Sequence, residues 1–387
     1  MTQVLTAKTD QLRESFREQF HAEPRLFRAP GRVNLIGEHT DYNQGFVMPV
    51  AIDFETWVAA APKPGNCLTI RSVEFSETVE FELHDTSHQR SHWSDYIRGV
   101  VLQLLAAGYK LPGAELLIDS SVPMGAGLSS SASLEVATGF AMLSLAGVDP
   151  DKRQLASLAQ RAENEFVGAH VGIMDQFICC NGIAGHALML DCRSLDFTPV
   201  PIPPRTSLVI ANTMVKHSIA GGEYNLRRRE CEEAVSRLKQ ELPDISYLRD
   251  VSIPELERFG GSLPPLIFKR AMHVVSENQR VLEAANALQS RDVFRFGQLM
   301  YESHRSLRDL YEVSSPELDV MVELASHLPG VHGSRMTGGG FGGCTVTLVE
   351  TTRAEQVRRE LAGSYARITG ITPEVYISTA SDGVSAL

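Results

Sequence analysis

The segment Pro123-Met-Gly-Ala-Gly-Leu-Ser-Ser-Ser-Ala-Ser133 constrains this chain more than any other. It follows a β-branched and alternating run, Ala114–Asp119, that reads as a strand, and it leads into a helical stretch from Ser129 to Leu145. Gly125 and Gly127 remove side chains where something must approach the backbone. Ser129, Ser130 and Ser131 are expected on the first helical turn, where unpaired N–H groups and the positive end of the helix dipole converge on one point. Such a point binds phosphate. A glycine turn with a Ser N-cap explains part of the pattern, but one cap suffices and three consecutive serines remain. The loop is not of the Walker type, because the chain has no Gly-Lys pair, and Ser130 stands where the dinucleotide fingerprint needs its third glycine. Protein-kinase H-R-D and D-F-G motifs are also missing. The reading is a different nucleotide-binding loop.

Two further segments carry directional chemistry. Ala29-Pro-Gly-Arg-Val-Asn-Leu-Ile-Gly-Glu-His-Thr-Asp-Tyr-Asn-Gln-Gly45 crowds Arg32, Glu38, His39, Asp41 and Asn43 among glycines. Polyols demand such a set, since each hydroxyl both donates and accepts and a carboxylate bridging adjacent hydroxyls fixes orientation. An Asx-capped polar turn would explain Asp41 or Asn43 singly, not the cluster. Thr337-Gly-Gly-Gly-Phe-Gly-Gly-Cys344 holds five glycines in eight residues. Beside two ligand-type loops it reads as a backbone wall close to nucleotide and sugar rather than a flexible turn.

Composition limits the partners. With 36 Lys+Arg against 47 Asp+Glu the net charge is −11, and no basic run exceeds Arg227-Arg228-Arg229, which argues against nucleic acid or an anionic membrane as partner. The six cysteines form neither a disulfide framework nor a zinc spacing, and no apolar stretch is long enough to span a bilayer. The N-terminus lacks an apolar signal core. The expectation is a reduced, soluble, cytoplasmic protein.

Along the chain, Leu12, Phe16 and Phe20 mark a short amphipathic helix, and Pro30–Pro49 reads as loop. Strands are expected at Leu68–Val73, Val79–Leu83, Leu208–Ala211, Thr345–Val349 and near Val375–Ser378. Helices are expected from Asp149-Pro150 onward, at Leu226–Leu242, Phe268–Leu288 and Pro316–Leu328, and from Thr352. The prolines Pro199, Pro201, Pro203 and Pro204 mark the best boundary, so two domains are expected, residues 1–200 and 205–387. The fold class is α+β, or mixed α/β.

These motifs carry a resemblance. A-P-G-R-V-N-L-I-G-E-H-T-D-Y-N-Q-G-F-V-M-P resembles the galactokinase signature, while P-M-G-A-G-L-S-S-S-A-S-L-E-V-A and M-T-G-G-G-F-G-G-C are similar to the second and third motifs of the GHMP small-molecule kinase superfamily. Glu163–Phe177 and Gly222–Arg229 also resemble galactokinase segments. The resemblance implies a two-domain GHMP fold with the active site in the interdomain cleft. It implies ATP-dependent phosphorylation of D-galactose at its C1 hydroxyl, the first committed step of galactose catabolism, with ATP as co-substrate and Mg²⁺ as metal.

Residue by residue, the resemblance implies Asp175 and Arg32 as catalytic, and Glu38, His39, Thr40, Asp41, Gly172 and Tyr224 as galactose-binding. It implies backbone Gly125, Ala126, Gly127, Leu128, Ser129, Ser130 and Ser131 around the ATP triphosphate, Ser131 and Glu163 as Mg²⁺ ligands, and Ser72, with Trp93 or Tyr96, near adenine or ribose. Without it Glu163 reads as a mid-helix surface charge, and Cys179-Cys180 as core. The expected assembly is a monomer, with a small homo-oligomer open. Two other readings share the fold: an N-acetylgalactosamine kinase, and a silent sugar and ATP sensor. Such sensors lack a Ser-Ala pair of the second motif, which Ser131-Ala132 supplies here.

Overall fold

The computed structural model describes residues 2–87, 92–216 and 220–387. Among them, strands are β1 (Arg25–Asn34), β2 (Phe46–Val47), β3 (Pro49–Lys63), β4 (Cys67–Ser72), β5 (Glu77–Glu82), β6 (Gly113–Ser120), β7 (His186–Asp191), β8 (Phe197–Pro201), β9 (Thr206–Lys216), β10 (Val331–Thr337), β11 (Gly342–Glu350), β12 (Glu374–Ser378) and β13 (Ser385–Ala386). Helices are α1 (Thr2–Phe20), α2 (Trp93–Ala106), α3 (Ser130–Leu145), α4 (Lys152–Arg161), α5 (Met174–Asn181), α6 (Ala220–Leu238), α7 (Ile253–Phe259), α8 (Pro265–Gln289), α9 (Val293–Ser306), α10 (Pro316–Ser326) and α11 (Ala354–Thr369). Three sheets result, in the orders β13-β1-β3-β6-β4-β5, β10-β11-β9-β12 and β2-β7-β8. All pairings are antiparallel except β4 with β6. None of the described helices is long and apolar enough to cross a membrane.

Helix α3 explains why the first sheet is covered so completely. Ala132, Val136, Ala137, Phe140, Ala141, Met142 and Leu143 are all buried, so α3 is apolar around most of its circumference. A helix of that kind must be enclosed on every side. It lies on β1 and β3 and is flanked by α2, α4 and α5. Cys179 and Cys180 are buried in this core, as expected of them.

Several expectations need correction. Pro30–Pro49 is not all loop: β1 runs to Asn34 and β3 starts at Pro49, with a register shift between Pro30 and Arg32 where Pro30 has no N–H to give the ladder. Arg32 therefore projects from a strand end. Ser129 is not in the first turn of α3 but precedes it as N-cap, at φ 62°, and its side chain caps nothing. Glu163 is not a surface charge: it is 6% exposed and sits in a π-helical segment, Ala162–Val167, that continues α4. The proline-rich stretch is partly strand, since β8 pairs with β7 as a sheet edge, the one place where prolines do little harm. The long strand β3 and the helices α7 and α9 carried no clear signal. The chain end also returns to the first sheet, where Phe27 pairs with Ala386 and Arg28 with Ser385.

Candidate active site

A bidentate ion pair forms the centre. Arg32 Nε donates to Asp175 Oδ1 and Nη2 to Oδ2, each at 2.8 Å. Arg32 comes from the end of β1 and Asp175 from the first turn of α5. The remaining nitrogen, Nη1, donates to the Gly127 carbonyl at 2.5 Å, and the Arg32 amide donates to the Leu128 carbonyl at 3.0 Å. The glycine-serine loop is thus tied to the strand that carries the arginine. Gly31 makes this possible, because a Cβ there would stand 2.7 Å from the Leu128 carbonyl oxygen. The left-handed backbone at Ser129 turns its hydroxyl away from α3 to donate to Asp175 Oδ2 at 2.5 Å.

On one side of this pair lies a cavity of about 370 Å³ whose lining includes Glu38, His39, Asp41, Gly172, Met174, Asp175, Tyr224, Asn225 and Gly339. Burial, and then the nearby Asp175 charge, push Asp41 up to about 7. Burial, with His273 next, holds His39 down at about 3, so its ring is neutral. Both His39 nitrogens are engaged, Nδ1 with the Tyr42 hydroxyl at 2.8 Å and Nε2 with the Gly339 carbonyl at 3.2 Å. The Nε2 contact needs the proton there, which leaves Nδ1 to accept. Gly172 fits beside Asp41 only because it has no side chain. Thr40 is not brought to the cavity: fully buried, its hydroxyl lies 2.8 Å from the Gly37 carbonyl and 2.6 Å from that of Phe46, holding the loop's shape.

A second cavity, of about 440 Å³, is lined by Thr56, Ser72, Phe75, Trp93, Tyr96, Ser120, Met124, Gly125, Ser130 and Ser131, among others. Phe75 and Trp93 stack with centroids 5.8 Å apart and planes 9° apart, and Trp93 Nε1 donates to Glu77 Oε2 at 2.8 Å. A planar base suits such a wall. Ala126 and Leu128 are buried and serve the loop through their backbone.

Ser131 Oγ donates to Glu163 Oε1 at 3.1 Å at the mouth of this loop. Burial, then Asp175, raise Glu163 to about 7. Sequence reading missed Gln176, whose Nε2 donates to Glu163 Oε2 at 2.5 Å and to the buried Glu135 Oε2 at 3.1 Å. Its only sequence signal was its place next to Asp175. No group of three or more His, Cys, Asp or Glu side chains able to hold a metal occurs among the described residues. A hydroxyl and one carboxylate are oxygen donors of the kind Mg²⁺ takes when phosphates and water complete its shell, so the residues fit that ion.

The chain matches the galactokinase galactose-binding signature over residues 14–62, the GHMP kinases N terminal domain over 95–182 and the GHMP kinases C terminal model over 284–367. It is 48% identical to the galactokinase of Roseiflexus sp., covering 97% of this chain and 96% of that one, and 46% identical to the Homo sapiens galactokinase, covering 97% and 95%. The crystal structure of Lactococcus lactis galactokinase complexed with galactose superposes with a TM-score of 0.94 at 36% identity, over 99% of this chain and all of that one. The Methanococcus jannaschii mevalonate kinase shares the fold, with a TM-score of 0.67 at 16% identity.

The GHMP kinases N terminal and C terminal domains, matched together in this two-domain fold, define a GHMP small-molecule kinase. Within that superfamily the chain belongs to the galactokinase family.

Proposed function

We propose that this site transfers the γ-phosphoryl group of ATP to the C1 hydroxyl of D-galactose in the cytoplasm, giving galactose 1-phosphate and ADP. The observation that carries the reading is the Arg32–Asp175 pair, which borders the sugar side with both its members and bonds Gly127 and Ser129 of the loop whose Gly125, Ser130 and Ser131 line the other cavity. Six free thiols suit a reducing compartment.

Asp175 accepts the proton of the sugar's C1 hydroxyl as that oxygen attacks the γ-phosphorus and ADP departs. Arg32 holds the carboxylate by both oxygens and faces the negative charge of the transferring group. The Ser129 hydroxyl holds Oδ2, so the oxygen that receives the proton is aimed before substrate arrives. Phosphoryl transfer has a loose transition state, and positioning with charge stabilisation supplies most of the rate. Glu38, Asp41 and Tyr224 orient the sugar. The backbone of Gly125–Ser131 cradles the triphosphate, and the Phe75–Trp93 wall takes the adenine. Ser131 and Glu163 would hold Mg²⁺, which when bound neutralises charge on the β- and γ-phosphates.

A coupled ATPase assay across galactose, glucose, talose, 2-deoxygalactose and N-acetylgalactosamine tests the reading. Galactose is expected to exceed glucose strongly in kcat/KM, up to about 10⁴–10⁵-fold, because a site built for an axial 4-hydroxyl leaves groups unpaired with glucose. Equal turnover of galactose and glucose refutes it, and a preference for N-acetylgalactosamine reassigns the substrate.

A further inference from the structure

Arg335 bonds Glu38 of the sugar cavity without lining the cavity itself. It lies in β10 just before Thr337 and the glycine run, and it is completely buried. Its Nη1 donates to Glu38 Oε2 at 2.7 Å and to the Asn34 carbonyl at 3.1 Å. The other Glu38 oxygen, Oε1, accepts the Gly338 N–H at 2.8 Å, and Asn34 Nδ2 also donates to Oε2. The Asn34 N–H in turn donates to Thr337 Oγ1 at 2.9 Å. One carboxylate therefore joins the end of β1, the sugar loop and the start of the glycine run, and Arg335 supplies the charge that holds it.

Stability alone does not account for this arginine. Its Nε and Nη2 have no hydrogen-bond partner, and the next acid, Glu277, leaves Oε1 4.0 Å from Nη2. A buried ion pair is often no more stable than apolar residues of similar volume, and one with unused donors is worse placed still. What the pair does achieve is direction. Glu38 is 1% exposed yet borders the sugar cavity, so any freedom it has to rotate would turn its oxygens away from a bound hydroxyl.

We propose that Arg335 is a positioning residue for galactose, acting through Glu38 by fixing the carboxylate and the Gly338 amide in one arrangement. This rests on the reading of Glu38 as a sugar ligand. Because Arg335 makes both of its bonds through Nη1, a single ammonium at that point can replace part of the effect, which makes Lys the conservative variant.

The test is a double-mutant cycle read as Michaelis constants. Glu38→Gln and Arg335→Gln are each expected to raise the galactose KM at least about tenfold, the factor a charge-assisted hydrogen bond is worth. The KM for ATP should move by less than about threefold, and Arg335→Lys should fall between Arg335→Gln and wild type. In the Glu38→Gln background, Arg335→Gln should change the galactose KM by less than about twofold, an absence of effect that a merely structural role does not predict. That comparison stands even if Arg335→Gln alone does not fold, since the double variant removes both charges. A galactose KM near wild type in Arg335→Lys and Arg335→Gln, with Glu38→Gln impaired, overturns the proposal. So does a further tenfold rise in the double variant. A normal galactose KM in Glu38→Gln instead refutes the sugar-ligand reading of Glu38 and, with it, the premise.

Discussion

Arg32 and Asp175 form a two-point pair at 2.8 Å per contact, with the arginine enclosed and the carboxylate side chain still 23% exposed toward the cleft. The asymmetry matters for chemistry. The guanidinium is sheltered, while the carboxylate stays reachable from the cavity. Gly127 and Ser129 complete the arrangement from the glycine-serine loop, so that loop also holds the Arg32–Asp175 pair in place.

Asp175→Asn keeps size and one acceptor but loses charge and basicity, so kcat is expected to fall by about 10²–10⁴ or more while ATP binding persists. Arg32→Lys keeps a charge and loses the planar fork, and should cost less kcat than Arg32→Ala. Steady-state kinetics with calorimetric ATP binding checks both. A folded Asp175→Asn enzyme that binds both substrates and works within about threefold of wild type would rule out a proton-accepting role.

Much of this centre is legible in the amino-acid sequence. The P-x-G-x-G-L-S-S-S run, the Ala29–Gly45 loop and the G-G-G-F-G-G segment each bring residues to the cavity walls, because backbone that comes close to a cavity must spend glycines. Arg335, Gln176 and Glu135 are not legible there. A charged residue inside an amphipathic or strand pattern reads as solvated, and only the packing of three distant segments shows that Arg335 is enclosed. The left-handed turn at Ser129 escapes for a related reason: Ser is an ordinary N-cap, and nothing local says that its hydroxyl is claimed by Asp175 across the fold. Likewise the strand character of Ala29–Asn34 is masked by Pro30 and Gly31, which interrupt a strand pattern by composition while a bulge accommodates them.

Glu163→Gln should weaken the dependence on Mg²⁺ in a way that excess metal partly offsets, while galactose binding without nucleotide stays near wild type. Activity titrated against free Mg²⁺, with calorimetry of Mg²⁺-dependent ADP binding, reads this directly. An unchanged metal titration would leave Glu163 as a buried structural carboxylate held by Ser131 and Gln176.

Asp41 gives a pH signature. With its carboxyl raised from 3.8 to about 7, the folded chain holds a proton that the unfolded chain releases above about pH 4. More protons are bound when folded, so this group's contribution to stability is present below pH 4 and is lost as pH rises toward 7. Galactose hydroxyls donate best to the ionised form, so binding should release a proton, and affinity should increase with pH through about 7. Calorimetry in buffers of different ionisation enthalpy measures that proton. Asp41→Asn should abolish both the release and the slope; a slope that survives the substitution assigns the titration to another group.

Gly172 offers the sharpest test of the sugar side, because its substitution changes geometry and no charge. A Cβ added there would stand 1.8 Å from Asp41 Oδ2 and 2.2 Å from Cγ, far inside contact distance, whereas the backbone at this glycine is not left-handed and accepts alanine without strain. The clash falls on Asp41 alone among the nearest neighbours, so the carboxylate must swing away from its place on the cavity wall. Gly172→Ala is therefore expected to raise the galactose KM at least about tenfold, as loss of a charged acceptor does, while ATP binding stays near wild type. Gly363→Ala, where an added Cβ meets nothing within 4 Å, is the control and should leave both constants unchanged. If Asp41 is the route, adding Gly172→Ala to Asp41→Asn should raise the galactose KM by much less than it does alone, since the displaced group has already lost its charge. A Gly172→Ala enzyme with a wild-type galactose KM would mean that Asp41 finds a second rotamer equally good for the sugar, and that its observed position does not determine recognition.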